Sequence, residues 1–346
     1  MNGWGVVGQE RAVAALARDL AQGRTAHAYL FVGPERVGKH TLALKLAQAL
    51  NCEGDEPPCD ACEPCRRIER GVHADVQTVT VEAAEAGREG EEGQQKGIHV
   101  SQVREIERVT SLKPFEGRSR AVIFDPADEM NAAAQNAFLK TLEEPPPQVT
   151  FVLVSAQEER LLPTIRSRCR QLALRLLPVP LVAEGLVGRG VEPERAQLLA
   201  RLSRGRVGWA LAMAADESLL ARRDEWLEEA RSLAAMSIAQ RWELAERLAT
   251  AFRRDRDPVL DELTAWQDWW RDVLLVQSRA EEGAVSADRL DDLRRDASRH
   301  SREEIAAFVR ELRSARQYLE DNVQPRLVLE ALLIQAPGAA EPARKR

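Results

Sequence analysis

Three groups of residues have the types and spacing to do chemistry. The first is FVGPERVGKHTLA, Phe31 to Ala43, which fits the phosphate-loop pattern G-x-x-x-x-G-K-[ST] at Gly33, Gly38 and Lys39. Phosphate binding needs backbone N–H groups curled around an anion at a helix N-terminus. The two glycines allow that curl, and Lys39 can reach the outer phosphates. The last position departs from the pattern, because His40 stands where a hydroxyl would hold Mg²⁺. Imidazole is a poor replacement, since that ion prefers oxygen. Thr41 does not substitute, because one helical step turns a side chain about 100° away. Further on, AVIFDPAD, the end of a strand expected to neighbour the one before the loop, supplies Asp125, which has the chemistry to support Mg²⁺. Hydrolysis also needs a group that positions or activates water, and the adjacent Pro126 cannot provide one. These residues predict that the chain does not hydrolyse a nucleotide by itself. They leave two readings of the loop: a site that holds ATP or ADP, with Mg²⁺ disfavoured, or a turn kept for its shape.

The second group is CEGDEPPCDACEPC, with Cys52, Cys59, Cys62 and Cys65 spaced C-x₆-C-x₂-C-x₂-C. Four thiolates can close a tetrahedral Zn²⁺ site, and two C-x₂-C steps give the tight turns such sites use. All four positions are filled by sulfur, so the expectation is a structural zinc. An iron–sulfur cluster and redox-active thiols are the rivals. The third group is Ser167, Arg168 and Cys169. An isolated arginine there reads as a helix cap or a partner for a surface carboxylate.

Elements that would position these residues can be read from periodicity. Gln9–Arg24 is a predicted helix, with Val13, Leu16 and Leu20 on one face. Ala28–Val32 is a predicted buried strand, followed by the glycine loop and a helix over Lys39–Leu50, which is the setting a phosphate loop requires. Further strands are predicted over Asp75–Val81, Arg120–Asp125, Thr150–Ser155 and Gln171–Leu176. Helices are predicted over Val100–Leu112 and Ala132–Leu142, with a short helix or turn over Leu161–Arg170. The acidic, Gly-rich stretch 84–97 reads as a loop. This alternation predicts a parallel sheet with helices on both faces. After Pro178 the strands stop: two or three short helices are expected over Leu181–Ala215. Longer amphipathic helices are expected over Glu217–Pro337, with breaks near Asp257–Pro258, Gly283 and Pro325. No internal repeat is evident.

Composition bounds the function. The 346 residues are too many for one ordinary core, and 44% hydrophobic with 30% charged residues is globular. No apolar run reaches the ~18 residues of a membrane span, and MNGWGVVGQERA lacks a signal-peptide layout; a cytoplasmic protein is expected. A net charge of −6 argues against general polyanion binding. His27, His73 and His99 form no ligand pattern and read as core or loop residues. Trp266, Trp269 and Trp270 share one helix face and read as packing rather than a base-stacking platform. Arg66, Arg67 and Arg70 read as a solvated helix face.

VVGQERA at 6–12, HAYLFVGPERVGK at 27–39, the Cys cluster, DPADEMN at 125–131, NAFLKTLEEPPP at 136–147 and LLPTIRSRC at 161–169 together resemble a bacterial clamp-loader subunit of the AAA+ class. Such assemblies open a ring-shaped sliding clamp and place it on primed DNA. The resemblance covers about residues 4–215. It implies a RecA-like module over 1–177 with a zinc insert at 52–65, a helical lid over 178–215, a helical collar over 216–337 and a disordered tail over 338–346. Two subunit types share these motifs. The hydrolysing gamma/tau motor type keeps Thr after the loop lysine and Glu after the strand aspartate, whereas His40 and Pro126 stand here. SRGRVGWAL at 203–211 puts Gly208 nearest the position of a second sensor arginine, with Arg206 close by. The resemblance therefore favours the non-hydrolysing delta-prime type, working with gamma/tau and delta subunits. It also implies that Arg168, within SRC, points at the γ-phosphate held by a neighbouring subunit. The alternatives are a motor-type ATPase and a stand-alone zinc-containing nucleic-acid-binding protein.

Overall fold

The computed structural model describes residues 3–81, 97–321 and 323–338. The chain divides into two compact units, 1–211 and 212–346. The predicted loop 84–97 and the tail 338–346 lie outside the described residues, apart from their end residues Gly97 and Gly338.

The first unit runs α1 (Glu10–Ala21), β1 (Ala28–Val32), α2 (Lys39–Asn51), α3 (Glu63–Glu69), β2 (Val76–Val79), α4 (Val100–Thr110), β3 (Arg120–Phe124), α5 (Ala132–Glu143), β4 (Val149–Ser155), α6 (Pro163–Arg166) and β5 (Arg170–Ala173). It continues through α7 (Val179–Val187), α8 (Pro193–Leu202) and the start of α9 (Val207–Ala215). The five strands form one parallel sheet in the order β2-β3-β4-β1-β5. Every residue of β1, β3 and β4 is buried, as expected for strands covered on both faces. Alternation along the strands sorts the side chains between two cores. Leu30, Phe124, Phe151 and Leu153 meet Val103 and Ile106 of α4 and Phe138 of α5. Tyr29, Phe31, Ile123 and Val152 meet Leu16 of α1 and Leu42 and Leu46 of α2. The α/β class expected from the sequence is the one the chain adopts.

Three details differ from the expectation. The acid-bearing strand β3 is not beside β1; β4 lies between them. β5 begins at Arg170, directly after Cys169, and is shorter than the predicted Gln171–Leu176. Leu174 still donates its N–H to Val32 O, 2.8 Å away, one step beyond the strand. The helix break expected near Asp257–Pro258 is present but falls at Asp255, between α11 (Ile238–Arg254) and α12 (Arg256–Gln277). Pro258 sits in the first turn of α12, whose Asp255 cap accepts from the N–H of Asp257, and proline is tolerated there because first-turn N–H groups have no helical partner.

The second unit is helical: α10 (Glu217–Ser232), α11 (Ile238–Arg254), α12 (Arg256–Gln277), α13 (Leu290–Arg299), α14 (Arg302–Glu320) and α15 (Pro325–Ile334). Ser237 and Gln240 form a capping box on α11, and Ser301 caps α14. Trp266, Trp269 and Trp270 are fully buried at its centre with Phe308 and Leu312. This matches the packing role read from their spacing and leaves no ring face for bases. Arg241 is buried on α11 and donates to the carbonyls of Leu233 (2.7 Å), Leu333 (2.7 Å) and Ala336 (3.1 Å). One guanidinium thus satisfies chain ends that helix geometry leaves unpaired. Among the described residues no helix is long and apolar enough to cross a membrane.

Candidate functional site

The phosphate loop leaves β1 at Gly33, where φ is +144° and a Cβ would stand 2.1 Å from Leu174 O. Only glycine fits that approach. Gly38, with φ +98°, precedes the first turn of α2, so the loop delivers N–H groups to a helix N-terminus as an anion site requires. Lys39 is buried, and its ammonium donates to the loop's own carbonyls, Gly33 O at 2.5 Å and Pro34 O at 2.8 Å. Burial pulls its pKa down, against the opposing charges of Asp128, Asp125 and Glu35. In this arrangement the lysine closes the loop on itself.

His40 and Asp125 are brought together by the topology. His40 opens α2, Asp125 follows β3, and the Nδ1 of His40 lies 2.7 Å from Asp125 Oδ2. Asp125 has the chemistry to support Mg²⁺, and here its Oδ2 engages the imidazole that stands in place of a hydroxyl ligand. Pro126 presents no carboxylate. Asp128, which the sequence reading did not single out, points back into the protein. It accepts from the N–H groups of Ala156 (3.4 Å) and Gln157 (3.2 Å). Burial pushes its pKa up, while those N–H groups and Ser155 pull it down. It ties the turn after β3 to the end of β4, and the repeated acid in DPAD was the available signal.

The start of α9 rests on the loop. Gly208 donates its N–H to Arg36 O at 2.8 Å, and a Cβ at Gly208 would come within 2.9 Å of the same oxygen. The residue nearest the second sensor position is therefore held by backbone contact with the loop, at a place too close for a larger side chain.

The four cysteines converge. Their Sγ atoms all lie within 4.8 Å of one another. A zinc–sulfur bond of ~2.3 Å implies tetrahedral edges of ~3.8 Å, so the set fits a metal after a small contraction. Cys52 follows α2, Cys62 caps α3 and Cys65 lies in its first turn. The N–H of Gly54 points at Cys52 Sγ and that of Cys62 at Cys59 Sγ, each at 3.3 Å. The Cys62 and Ala61 N–H groups lower the Cys59 thiol to about 6, whereas burial raises Cys52 and Cys65. Lys45 of α2 ties the knuckle down through Asp60, 2.5 Å away. The arginines after the cluster are partly engaged: Arg67 pairs with Glu116 at 2.5 Å and donates to Val72 O at 3.0 Å.

Arg168 sits between α6 and β5. Cys169 packs against the sheet core, and burial lifts its thiol to about 12. Ser167 Oγ donates to Thr164 O, 3.1 Å away. The approach to α6 is held by Gln135 of α5, which donates to Arg160 O (3.1 Å) and accepts from the N–H of Leu162 (2.8 Å). Within this chain the guanidinium donates to Thr164 O at 2.9 Å and to Glu143 Oε1 at 2.8 Å. The bland pairing read from an isolated arginine is thus realised in the single chain. The side chain is 35% exposed, so it is accessible from outside.

Comparison with known proteins fits this arrangement. Residues 8–178 match the family model described as "DNA polymerase III, delta subunit". The chain is 31% identical to DNA polymerase III subunit delta' of Pseudomonas aeruginosa, over 90% of this chain and 91% of that protein. It is 28% identical to the delta' subunit of Bacillus subtilis, over 94% and 95%. It is 36% identical to DNA polymerase III subunit tau of Escherichia coli over 60% of this chain, which is 32% of tau. A parallel sheet bearing a phosphate loop, a helical second unit and likeness to delta' proteins over nine-tenths of their length carry one conclusion: the chain belongs to the DNA polymerase III delta-prime subunit family.

Proposed function

We propose that this chain is a non-hydrolysing stator. It sits beside gamma/tau motor and delta subunits in a cytoplasmic assembly that loads the sliding clamp onto primed DNA, and it lends Arg168 to ATP bound next door. The observation that carries the first half is the 2.7 Å contact between His40 and Asp125. It joins the residue that replaced a Mg²⁺ ligand to the carboxylate that would support the ion, with Pro126 beside them. A nucleotide is gripped here only when its phosphates draw Lys39 away from Gly33 O and Pro34 O, and Pro126 offers no carboxylate to prepare water.

The second half rests on chemistry at Arg168. A guanidinium is always charged and meets phosphate with a planar fork. Supplied across an interface, it can be worth ~10³–10⁵ in rate. A subunit without its own turnover can thus govern turnover in its neighbour. Around this site, Cys52, Cys59, Cys62 and Cys65 would hold a structural Zn²⁺, which supplies cross-linking and no chemistry. We assign 178–215 as the lid and 216–337 as the collar through which the subunits associate.

Reconstitution with gamma/tau and delta tests the reading. The purified chain should show background ATPase, and adding it to the motor subunits should raise clamp- and DNA-stimulated turnover. Turnover by the purified chain would instead assign it to the motor type. Salt-sensitive DNA binding by the isolated chain, without effect on the motor, would assign it to a separate nucleic-acid-binding role.

A further inference from the structure

We propose that Glu143 is a latch on Arg168, which holds the guanidinium neutralised until a phosphate on a neighbouring subunit displaces the carboxylate. The inference rests on the reading of Arg168 as a residue that acts in trans.

Glu143 is an unexpected residue where it stands. It is the last residue of α5, followed by Glu144 and then Pro145. Carbonyls at a helix C-terminus carry partial negative charge, so an acid there is disfavoured and a base favoured. Lys140, one turn earlier, obeys that preference; Glu143 violates it. Its compensation is Arg168, whose Nη2 lies 2.8 Å from Oε1. The second anchor of the guanidinium, Thr164 O at 2.9 Å, comes from α6. Two of five N–H donors are taken by these bonds, so the fork is aimed while its charge is cancelled.

The pair is built to be exchanged. Arg168 and Glu143 are 35% and 53% exposed, so neither is buried by packing. The backbone beneath is fixed: Arg168 donates its N–H to Ile165 O at 3.0 Å, Ile165 is fully buried and Cys169 packs into the core. Release therefore needs only side-chain rotation. A terminal phosphate and the Glu143 carboxylate carry the same sign and seek the same donors, so they compete. Glu143 is thus a positioning residue, with no contact of its own to the reacting atoms.

The test uses the complete assembly reconstituted with Glu143→Gln, Glu143→Lys, Arg168→Ala and Glu143→Gln/Arg168→Ala chains. An exposed ion pair restrains weakly, so Glu143→Gln should raise turnover without clamp and DNA by about two- to fivefold at the facing site, read as that site's share of the assembly's rate. KM for ATP should stay unchanged and the stimulation ratio should fall. Glu143→Lys places a base where the helix end favours one, so its fold is secure, and it should raise the same rate at least as much. The double variant should match Arg168→Ala, which a merely structural role for Glu143 would not produce. If both Glu143 variants leave the unstimulated rate unchanged or lower while Arg168→Ala depresses the stimulated rate, the latch is overturned and the trans role stands. If Arg168→Ala changes nothing, both fall.

Discussion

Asp75 offers a prediction whose size follows from its contacts. It lies just before β2, almost completely buried. Its Oδ1 accepts from the N–H of Phe115 (2.8 Å) and from Arg120 Nη2 (2.9 Å), and its Oδ2 accepts from the N–H groups of Glu116 and Gly117 (2.8 Å each). It thereby pins the loop before β3, the strand that leads to Asp125. Asp75→Ala strands three backbone donors and removes the only carboxylate paired with Arg120 among the described residues. Arg120 keeps the carbonyls of Val109 and Lys113. Each orphaned donor costs ~1–3 kcal/mol, and breaking a buried pair ~3–5 kcal/mol. The terms overlap, and the loop can open to water, so about 4 kcal/mol is expected. Urea denaturation followed by hydrogen exchange in peptides covering β2 and β3 measures it. The acid response has a defined sign. Burial alone would raise the Asp75 pKa, but the Glu116, Gly117 and Phe115 N–H groups and Arg120 outweigh it and hold the carboxyl well below its usual range. Its contribution is complete above the unfolded value of ~4 and is lost as pH falls toward the folded one. Asp75→Asn should flatten that acid limb. A variant as stable as the parent at neutral pH, with the same acid slope, would refute the reasoning.

Other outcomes follow from the same structure. The purified chain should carry one zinc, and Cys62→Ser should release it and expose 52–65 to proteolysis, whereas Cys169→Ser should keep it; unchanged metal content in the first variant would exclude the Cys₄ site. Because a structural zinc is worth on the order of 10 kcal/mol to local folding, the chelator effect should be large but confined near α2 and α3. His40→Thr alone should leave purified-chain ATPase at background, since Pro126 still activates no water; measurable turnover would contradict this. Arg241→Ala should cost the second unit about 3 kcal/mol: three charged hydrogen bonds at ~1.5–3 kcal/mol each are lost, offset in part because a buried charge with its desolvation cost is removed. Tryptophan fluorescence during denaturation reports it through Trp266, Trp269 and Trp270, and an unchanged midpoint would show that the bonds to Leu233, Leu333 and Ala336 are dispensable.

Local patterns made much of the molecule legible. The glycines and Lys39 announced the loop, the C-x₂-C steps announced the convergent thiols, and the i, i+3, i+4 tryptophans announced a buried face. What the sequence did not disclose depends on distant segments meeting. The place of β4 between β1 and β3 is a topological fact with no periodic signature. So is the meeting of His40 with Asp125, which are 85 residues apart. Asp75 and Arg241 carry no signal of burial in the sequence, because burial of an ion is decided by the donors and carbonyls that surround it. The break expected near Asp257–Pro258 falls two residues earlier, because the Asp255 cap sets the helix start and Pro258 is accommodated in the first turn.

The most direct test of the central claim is the ATPase of the complete assembly containing Arg168→Ala in this chain alone, with motor subunits unaltered. At the one site that faces this chain turnover should fall by ~10³ or more, so clamp- and primed-DNA-stimulated turnover of the assembly should drop by that site's whole share of the total. Thermal unfolding of the purified variant should be unchanged to within the ~1 kcal/mol of an exposed ion pair. Stimulated turnover equal to that of the parent assembly would contradict the account.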